Sequence, residues 1–344
     1  MCVQERAAGS SSTRSAPDQT CNTGLQWPSL GIALTGFALL AALSAPAQVI
    51  VPNIDSGFVG EYTNSGAVIN PALLSGFETA FCTAWSSSGN FYVLDQRGTI
   101  GEYTASGAVV NATLISGLNT PTAFAVAGNG NIYVGNNSGT IGEYSSTGAE
   151  IDASLIAGQI GPRGMVFDSN GNLFVSSYST GDVAEYTSSG TLLNSALITV
   201  PGGAYGMAID ANNNLFVVDP NHSAVGKYSS SGTVINASFI STSGIPFFVA
   251  TDGSGNVYVS DASANAIAEY SASGGLLNGS FITGLSNPGA FSFAPVPEPA
   301  TLTLFAGGLG LLFARGIRRH RKCAPRAQSG YEGPAGRPFL QRHG

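Results

Sequence analysis

The sequence predicts an all-β chain folded as a six-bladed β-propeller of four-stranded blades, and three observations carry that prediction. The first is repetition. "GEYTASGAVVNATLISG" (101–117) recurs as "GEYTNSGAVINPALLSG" (60–76) and "GEYSSTGAEIDASLIAG" (142–158), then more loosely from 184, 226 and 268. Tyr62, Tyr103, Tyr144, Tyr186, Tyr228 and Tyr270 fall in one column, 41 or 42 residues apart. A period near 40 with several short strands per unit is the signature of propeller blades. The second is composition: 46 glycines, 10% charged residues, and short Val/Ile/Tyr/Phe runs broken by Gly/Ser/Asn clusters, the pattern of many short strands. The third is that the ends of the array complement each other. The first unit lacks an inner strand, because "VIVP" (49–52) already aligns with "NIYV", and an orphan inner strand, "NPGAFSFAP" (287–295), follows the last unit. Closing that orphan onto the first unit completes six blades and removes the open edges of a linear array. A linear β-solenoid is the runner-up, and it has no use for such a circular complement.

Each element follows from its column. The inner strand comes after a proline, as in "PTAFAVA" (121–127), "PRGMVFD" (162–168) and "PFFVATD" (246–252). The second strand is the Gly-Asn-x-aromatic-Val run, "GNFYV" (89–93) to "GNVYV" (255–259), and the third is the Glu-Tyr strand. The outer strand is the apolar-x-Asn-x-x-Leu-Ile run. Before the acid, positions 59, 100, 141, 183, 225 and 267 are always Val or Ile, which suits a buried pleated surface. The following column, 60, 101, 142, 184, 226 and 268, is always Gly or Ala, read as room for a neighbouring blade. Gly66, Gly107, Gly148, Gly190, Gly232 and Gly274 follow a small polar pair, where a short hairpin needs a left-handed residue. The tyrosines are expected to fill the space between blades.

Both termini read as export signals. "LGIALTGFALLAALSAPAQ" (30–48) is an apolar run of signal-peptide length ending in Ala45-Pro46-Ala47, with small residues placed for cleavage after Ala47. Residues 1–47 are therefore read as a signal-peptide region. The stretch before the apolar run is long and carries only Arg6 and Arg14, so either the start lies further in or the leader is atypical. A membrane anchor is the alternative reading. At the other end, Val296, Pro297, Glu298 and Pro299 precede an apolar run over about 300–317. The basic cluster Arg315, Arg318, Arg319, Arg321 and Lys322 follows, which would hold that end in the cytoplasm. Motif, apolar helix and basic cluster in this order resemble the PEP-CTERM sorting signal of bacterial exported proteins, over residues 296–322. The resemblance implies processing by an exosortase-type membrane protease near Pro-Glu-Pro, transient anchoring by the helix, and an envelope or extracellular destination. That family ends just after its basic cluster, whereas here Cys323–Gly344 continues, a tail expected to be disordered.

The body, residues 48–295, holds sixteen Asp/Glu and three basic residues (Arg97, Arg163, Lys227), a balance of −13. Such a surface argues against nucleic acid as a partner. "GPRGMVFDSNGNLFVSSYSTGDVAEY" (161–186) and "GNVYVSDASANAIAEY" (255–270), the latter with Asp261 after its second strand, resemble NHL-repeat and SMP-30/gluconolactonase-like propellers. The enzymes among those relatives imply a central-channel site, built on a divalent metal held by non-repeating acids or on a His with a Glu. No matching constellation can be assigned here. His222, the one histidine of the body, is read as a surface loop residue.

The remaining candidates are weighed against the repeat. Glu61, Glu102, Glu143, Glu185 and Glu269 recur around the ring and give way to Lys227, whereas a catalytic acid is needed once. They are read as structural. Asp168-Ser-Asn-Gly-Asn172, with Asp210 and Asp252 as partial repeats, starts like a calcium loop but lacks the later ligands, so turn nucleation is preferred over calcium or another divalent metal. Asn70, Asn111, Asp152, Asn194, Asn236 and Asn278 form a column whose sequons repeat with it and call for a structural cause. Cys82, alone in the body, is expected as a small buried hydrophobe. These readings specify no catalytic, cofactor or metal residue. They favour an exported, non-catalytic module that binds exopolysaccharide or protein, with a metal-dependent lactonase- or lyase-like enzyme as the alternative.

Overall fold

A computed structural model describes residues 48–159 and 161–295. The signal-peptide region, the sorting motif, the apolar segment at 300–317, the basic cluster and the tail all lie outside the described residues. The described chain forms six four-stranded antiparallel sheets, with the single turn of 3-10 helix at Pro220–His222. Within each sheet the strands run inner, second, third and outer, and the blades occupy 80–115, 121–157, 162–199, 207–241 and 246–282 in turn.

The remaining blade is composite. Gln48–Asn53, Phe58–Thr63 and Val68–Leu74 are its second, third and outer strands, and Ser292–Phe293 is its inner strand. Val49 pairs with Phe293 and Ile50 with Ser292, as the complementary ends of the sequence require. Around that short ladder the chain is stitched on both sides. The Ala294 N–H donates to the Gln48 carbonyl at 2.8 Å and the Gly289 N–H to the Pro52 carbonyl at 2.9 Å. The Ala290 N–H and carbonyl bond the inner strand of the next blade, at Phe81 and Thr83. The Asn53 side chain accepts from the Ser286 N–H at 2.9 Å.

Packing between blades explains the columns. Val59, Ile100, Ile141, Val183, Val225 and Ile267 are fully buried, each burial contributing about 1.5–3 kcal/mol. The tyrosine of each blade packs into the apolar cluster of the blade before it. Tyr103 joins Val59 and Leu74, Tyr228 joins Val183 and Ile198, and Tyr62 joins Ile267 and Ile282 across the closure. The aromatic column therefore fills the inter-blade space as expected.

The Gly/Ala column does a different job from the one expected, whereas the hairpin glycines are left-handed as expected. A Cβ at Gly60, Gly101, Gly142 or Gly226 would strike the ring of the tyrosine two residues along the same strand. That small column makes room for its own blade's aromatic ring, not for a neighbouring blade. Close approach between blades occurs instead at the hairpin glycines, which are left-handed (φ from 80° to 86°). A Cβ at Gly66, Gly148, Gly190, Gly232 or Gly274 would press on a carbonyl oxygen in the outer strand of the preceding blade. For Gly66 that carbonyl belongs to Phe281, so the first blade rests on the last as every other blade rests on its predecessor.

The outer strands share one irregularity. Glu61 pairs with Asn70 and Val59 with Leu74, so four outer-strand steps face two on the third strand, and the same shift recurs in all six blades. In each, the Asn or Asp oxygen accepts the backbone N–H two residues on, from Ala72, Thr113, Ser154, Ala196, Ser238 and Ser280. This Asx turn shapes the bulge and supplies the structural cause for the sequon column.

Loops leaving second strands and loops entering inner strands share one face, because their ends pair: Pro121 with Asn136 and Pro246 with Asp261. Acids at the ends of second strands brace that face. Asp95 accepts Arg97 Nη2 at 2.7 Å and Nε at 3.0 Å, as well as backbone N–H groups of Glu78, Thr79 and Arg97. Asp261 accepts the N–H groups of Ile245, Ser263 and Ala264. Burial alone would raise the Asp95 carboxyl, but the Arg97 side chain and the N–H groups of Arg97 and Glu78 hold it below its ordinary value.

Two outcomes follow from this architecture. Gly76 is also left-handed but has open space around it, so Gly76→Ala should destabilise by about 1–2 kcal/mol of backbone strain. Gly66→Ala should cost more, measured by urea midpoints, because its methyl meets the Phe281 carbonyl; equal losses would mean that the first and last blades do not touch there. The depressed Asp95 carboxyl contributes stability that is full above the unfolded value, about pH 3.9, and is lost as the pH falls through the folded value. Arg97→Gln should therefore lower the urea midpoint at about pH 7 and lose most of that difference at about pH 2–3; a gap that persists in acid would separate Asp95 from the effect.

Candidate functional site

The repeated acids are placed by the repeat itself. The Asn or Gln opening each second strand donates its amide to the Glu of the adjacent third strand: Gln48 to Glu61, Asn90 to Glu102, Asn131 to Glu143, Asn172 to Glu185 and Asn256 to Glu269, at 2.5–3.2 Å. In the remaining blade Lys227 stands at the Glu position. There Asn214 turns to Asp210 instead, and Lys227 Nζ lies 3.7 Å from the same carboxylate. The exchange of sign is absorbed locally, and the column spans sheets instead of converging on one point. Burial raises Glu61 above the ordinary carboxylate range, with Gln48 opposing it.

Asp168, Asp210 and Asp252 each accept the backbone N–H groups two and four residues on, so they act as turn nuclei. His222 lies on the braced face, exposed, with Nδ1 2.9 Å from Asp219 Oδ2; it is the loop residue expected, tied to its own helix cap. Cys82 is buried in the inner strand of its blade, its thiol pushed well up by burial and pulled back in part by Arg163. Among the described residues no group of three or more His, Cys, Asp or Glu is placed to share a metal ion.

The inner strands enclose an axial cavity of about 300 Å³. Each blade contributes one equivalent residue to its wall: Thr83, Phe124, Met165, Met207, Val249 and Phe291. No Asp, Glu or His lines it.

Two residues nearer the braced face, the equivalent column reads Phe81, Thr122, Arg163, Tyr205, Phe247 and Gly289. Here five blades present four kinds of side chain, Phe twice, and the sixth presents bare backbone. Tyr205 stacks on Phe247 (5.0 Å, 24°) and meets Phe248 edge-on, while Phe248 reaches Phe81 at 5.5 Å. Tyr178 stands edge-on to Tyr205 at 5.7 Å and is 40% exposed. Arg163 lies beside this aromatic group, its guanidinium carbon 5.7 Å from the Tyr205 ring centre. It lines the axial cavity and two further cavities on this face. One, of about 630 Å³, includes Tyr178, Tyr205, Asn221 and Ile245. The other, of about 250 Å³, includes Gln96, Thr120 and Asn137.

Sequence reasoning did not single out this column. The signal was present in the aligned inner strands, where "PTAF", "PRGM" and "PFFV" keep the proline and vary the next residue. Variation inside a strict repeat marks a place where the blades do not all need the same residue.

The sequence matches the PEP-CTERM protein-sorting motif family over residues 295–322. None of the curated proteins matches it. Solved structures resemble the ring at low identity. A chain of the nidogen/laminin complex aligns with a TM-score of 0.59 and 16% identity, covering 73% of this chain and 99% of that one. A catalytically inactive virginiamycin B lyase from Staphylococcus aureus with quinupristin gives 0.55 and 16%, covering 71% and 92%. A gluconolactonase from Xanthomonas campestris gives 0.51 and 15%, covering 70% and 89%. At such identities the likeness speaks for the fold alone. The chain is thus a six-bladed β-propeller with structural neighbours among gluconolactonase and virginiamycin B lyase propellers, and it carries a PEP-CTERM sorting motif at its C-terminus.

Proposed function

We propose that the protein is a non-catalytic binding module of the bacterial envelope, presenting its braced face to exopolysaccharide or to another envelope protein. In this reading the N-terminal leader is removed after Ala47. The segment at 300–317 anchors the chain transiently, with Arg315 to Lys322 on the cytoplasmic side, and an exosortase-type protease processes it near Val296–Pro299. The propeller then remains in the envelope or outside the cell.

One observation carries the choice of binding over catalysis: the wall of the axial cavity holds no carboxylate and no imidazole. Lactonase- or lyase-like chemistry in a propeller channel requires a general acid or base, or a set of metal ligands, projecting into it. Here the equivalent positions are Thr, Phe, Met and Val, and the one thiol, Cys82, is held in its protonated form by burial. The neighbouring folds do not decide the matter. The nidogen/laminin structure is a protein complex and the other two neighbours are enzymes, and one propeller scaffold serves both uses.

The protein recovered from envelope fractions should be retained on extracted exopolysaccharide and should leave gluconolactone unchanged, with or without a chelator. Stoichiometric metal together with lactone turnover that a chelator abolishes would overturn the binding reading. If processing falls near Val296–Pro299 as proposed, mass spectrometry of the mature protein should find no peptides beyond about residue 299; an intact Arg-rich end would show that sorting fails in this chain.

A further inference from the structure

The body has three basic side chains, and they are not treated alike. Arg97 is bonded to Asp95, and Lys227 is held by Asp210. Arg163 makes no hydrogen bond or ion pair among the described residues; its contact is the Tyr205 ring. Its Nε is buried without a partner. A buried N–H left unpaired is unfavourable, and the fork geometry of a guanidinium fits a carboxylate in two-point contact. The positive charge at this spot is felt by its neighbours, since it pulls both the Cys82 thiol and the Tyr205 phenol downward against the effect of burial.

What surrounds Arg163 narrows the anion. The cavity of about 630 Å³ has the size of a small oligosaccharide rather than of an extended chain. Its wall offers the exposed ring of Tyr178 as an apolar platform. Asn221 and Ser223 line the same cavity, and Gln96, Thr120 and Asn137 line the one on the far side of Arg163. Ring face, amides, hydroxyls and one cation match the C–H face, hydroxyls and carboxylate of an acidic sugar.

We propose that the channel-mouth pocket at Arg163 is a subsite for a carboxylated saccharide, a uronate unit whose carboxylate pairs with Arg163 and whose ring lies on Tyr178. The proposal rests on the binding-module reading and names the ligand class for that same face. It also accounts for an acidic body taking an anionic ligand. The surrounding balance of −13 acts at range and is screened within about 8 Å at physiological salt, whereas a partly buried ion pair is screened less. Affinity should hold or rise between about 10 and 150 mM salt, opposite to the steep loss shown by proteins that bind polyanions through basic surface patches.

Calorimetric titration of the full chain with trigalacturonate, its methyl ester and tetraglutamate tests this. Trigalacturonate should bind, the ester about tenfold or more weakly, and tetraglutamate more weakly than trigalacturonate. Arg163→Gln should bind the acid only as well as the wild type binds the ester, and Arg163→Lys should recover part of the difference. Since Arg163 bonds to nothing, Arg163→Gln should keep or raise the melting temperature, which separates lost binding from lost folding. Tyr178→Ala should weaken acid and ester alike. Equal binding of acid and ester, tetraglutamate binding as tightly as trigalacturonate, an Arg163→Gln variant that binds the acid unchanged, or affinity falling steeply over that salt range would each overturn the proposal. Retention of the Arg163→Gln chain on extracted exopolysaccharide, undiminished, would remove this subsite and leave the binding module standing. Failure of the wild type to be retained there would remove the module itself.

Discussion

Everything in this molecule depends on two backbone pairings, Val49 with Phe293 and Ile50 with Ser292. A row of four-stranded sheets stacked only on its neighbours leaves one apolar face uncovered at each end, and neither end can cover itself. Splitting one blade between the two ends of the chain lets the covalent chain hold the ring shut. The short ladder is enough because Phe293 also packs on Tyr258 at 4.5 Å and Phe291 joins the cluster holding Val49, Val51 and Tyr62. Strand pairing sets the register, and side-chain burial supplies the larger share of the stabilisation.

Closure fixes where variation is tolerated. Inside the ring wall each blade meets equivalent neighbours, so nearly the same residues solve the same problem in every blade. A tyrosine fills the gap and an Asx turn shapes the outer bulge in all six, a Gly or Ala stands two residues before the tyrosine, and in five blades a Glu accepts the amide across the sheet. On the axis the six blades face one another, and identical residues there would crowd or leave a hole. The mouth column accordingly departs from the repeat, with Phe81 and Phe247 among the filling rings and Gly289 leaving space where the composite blade is threaded.

This division explains how far the sequence could be read. Blade count, strand order and the circular complement were legible because each is a repeated or missing pattern in a single line of residues. The hairpin glycines were legible as left-handed positions, but the identity of their neighbours was not. Whether Gly60 yields to another blade or to Tyr62 depends on a rotamer, which no periodicity encodes. The candidate site was legible only as an absence of assignable catalytic residues. Arg163 stood in the sequence as one basic residue among three, and its want of a partner emerged only when Arg97 and Lys227 were seen beside their acids. The acids that looked chemically interesting were explained away by the same geometry, since each meets an amide on the next strand.

Native-state hydrogen exchange on the strand Gln48–Asn53 tests the closed ring most directly. Its amides should exchange as slowly as those of the fully buried second strands elsewhere, and truncation of the chain after residue 286 should abolish that protection while also exposing the last blade around Tyr258. Protection of Gln48–Asn53 that survives the truncation unchanged would contradict a ring held shut by the C-terminal strand.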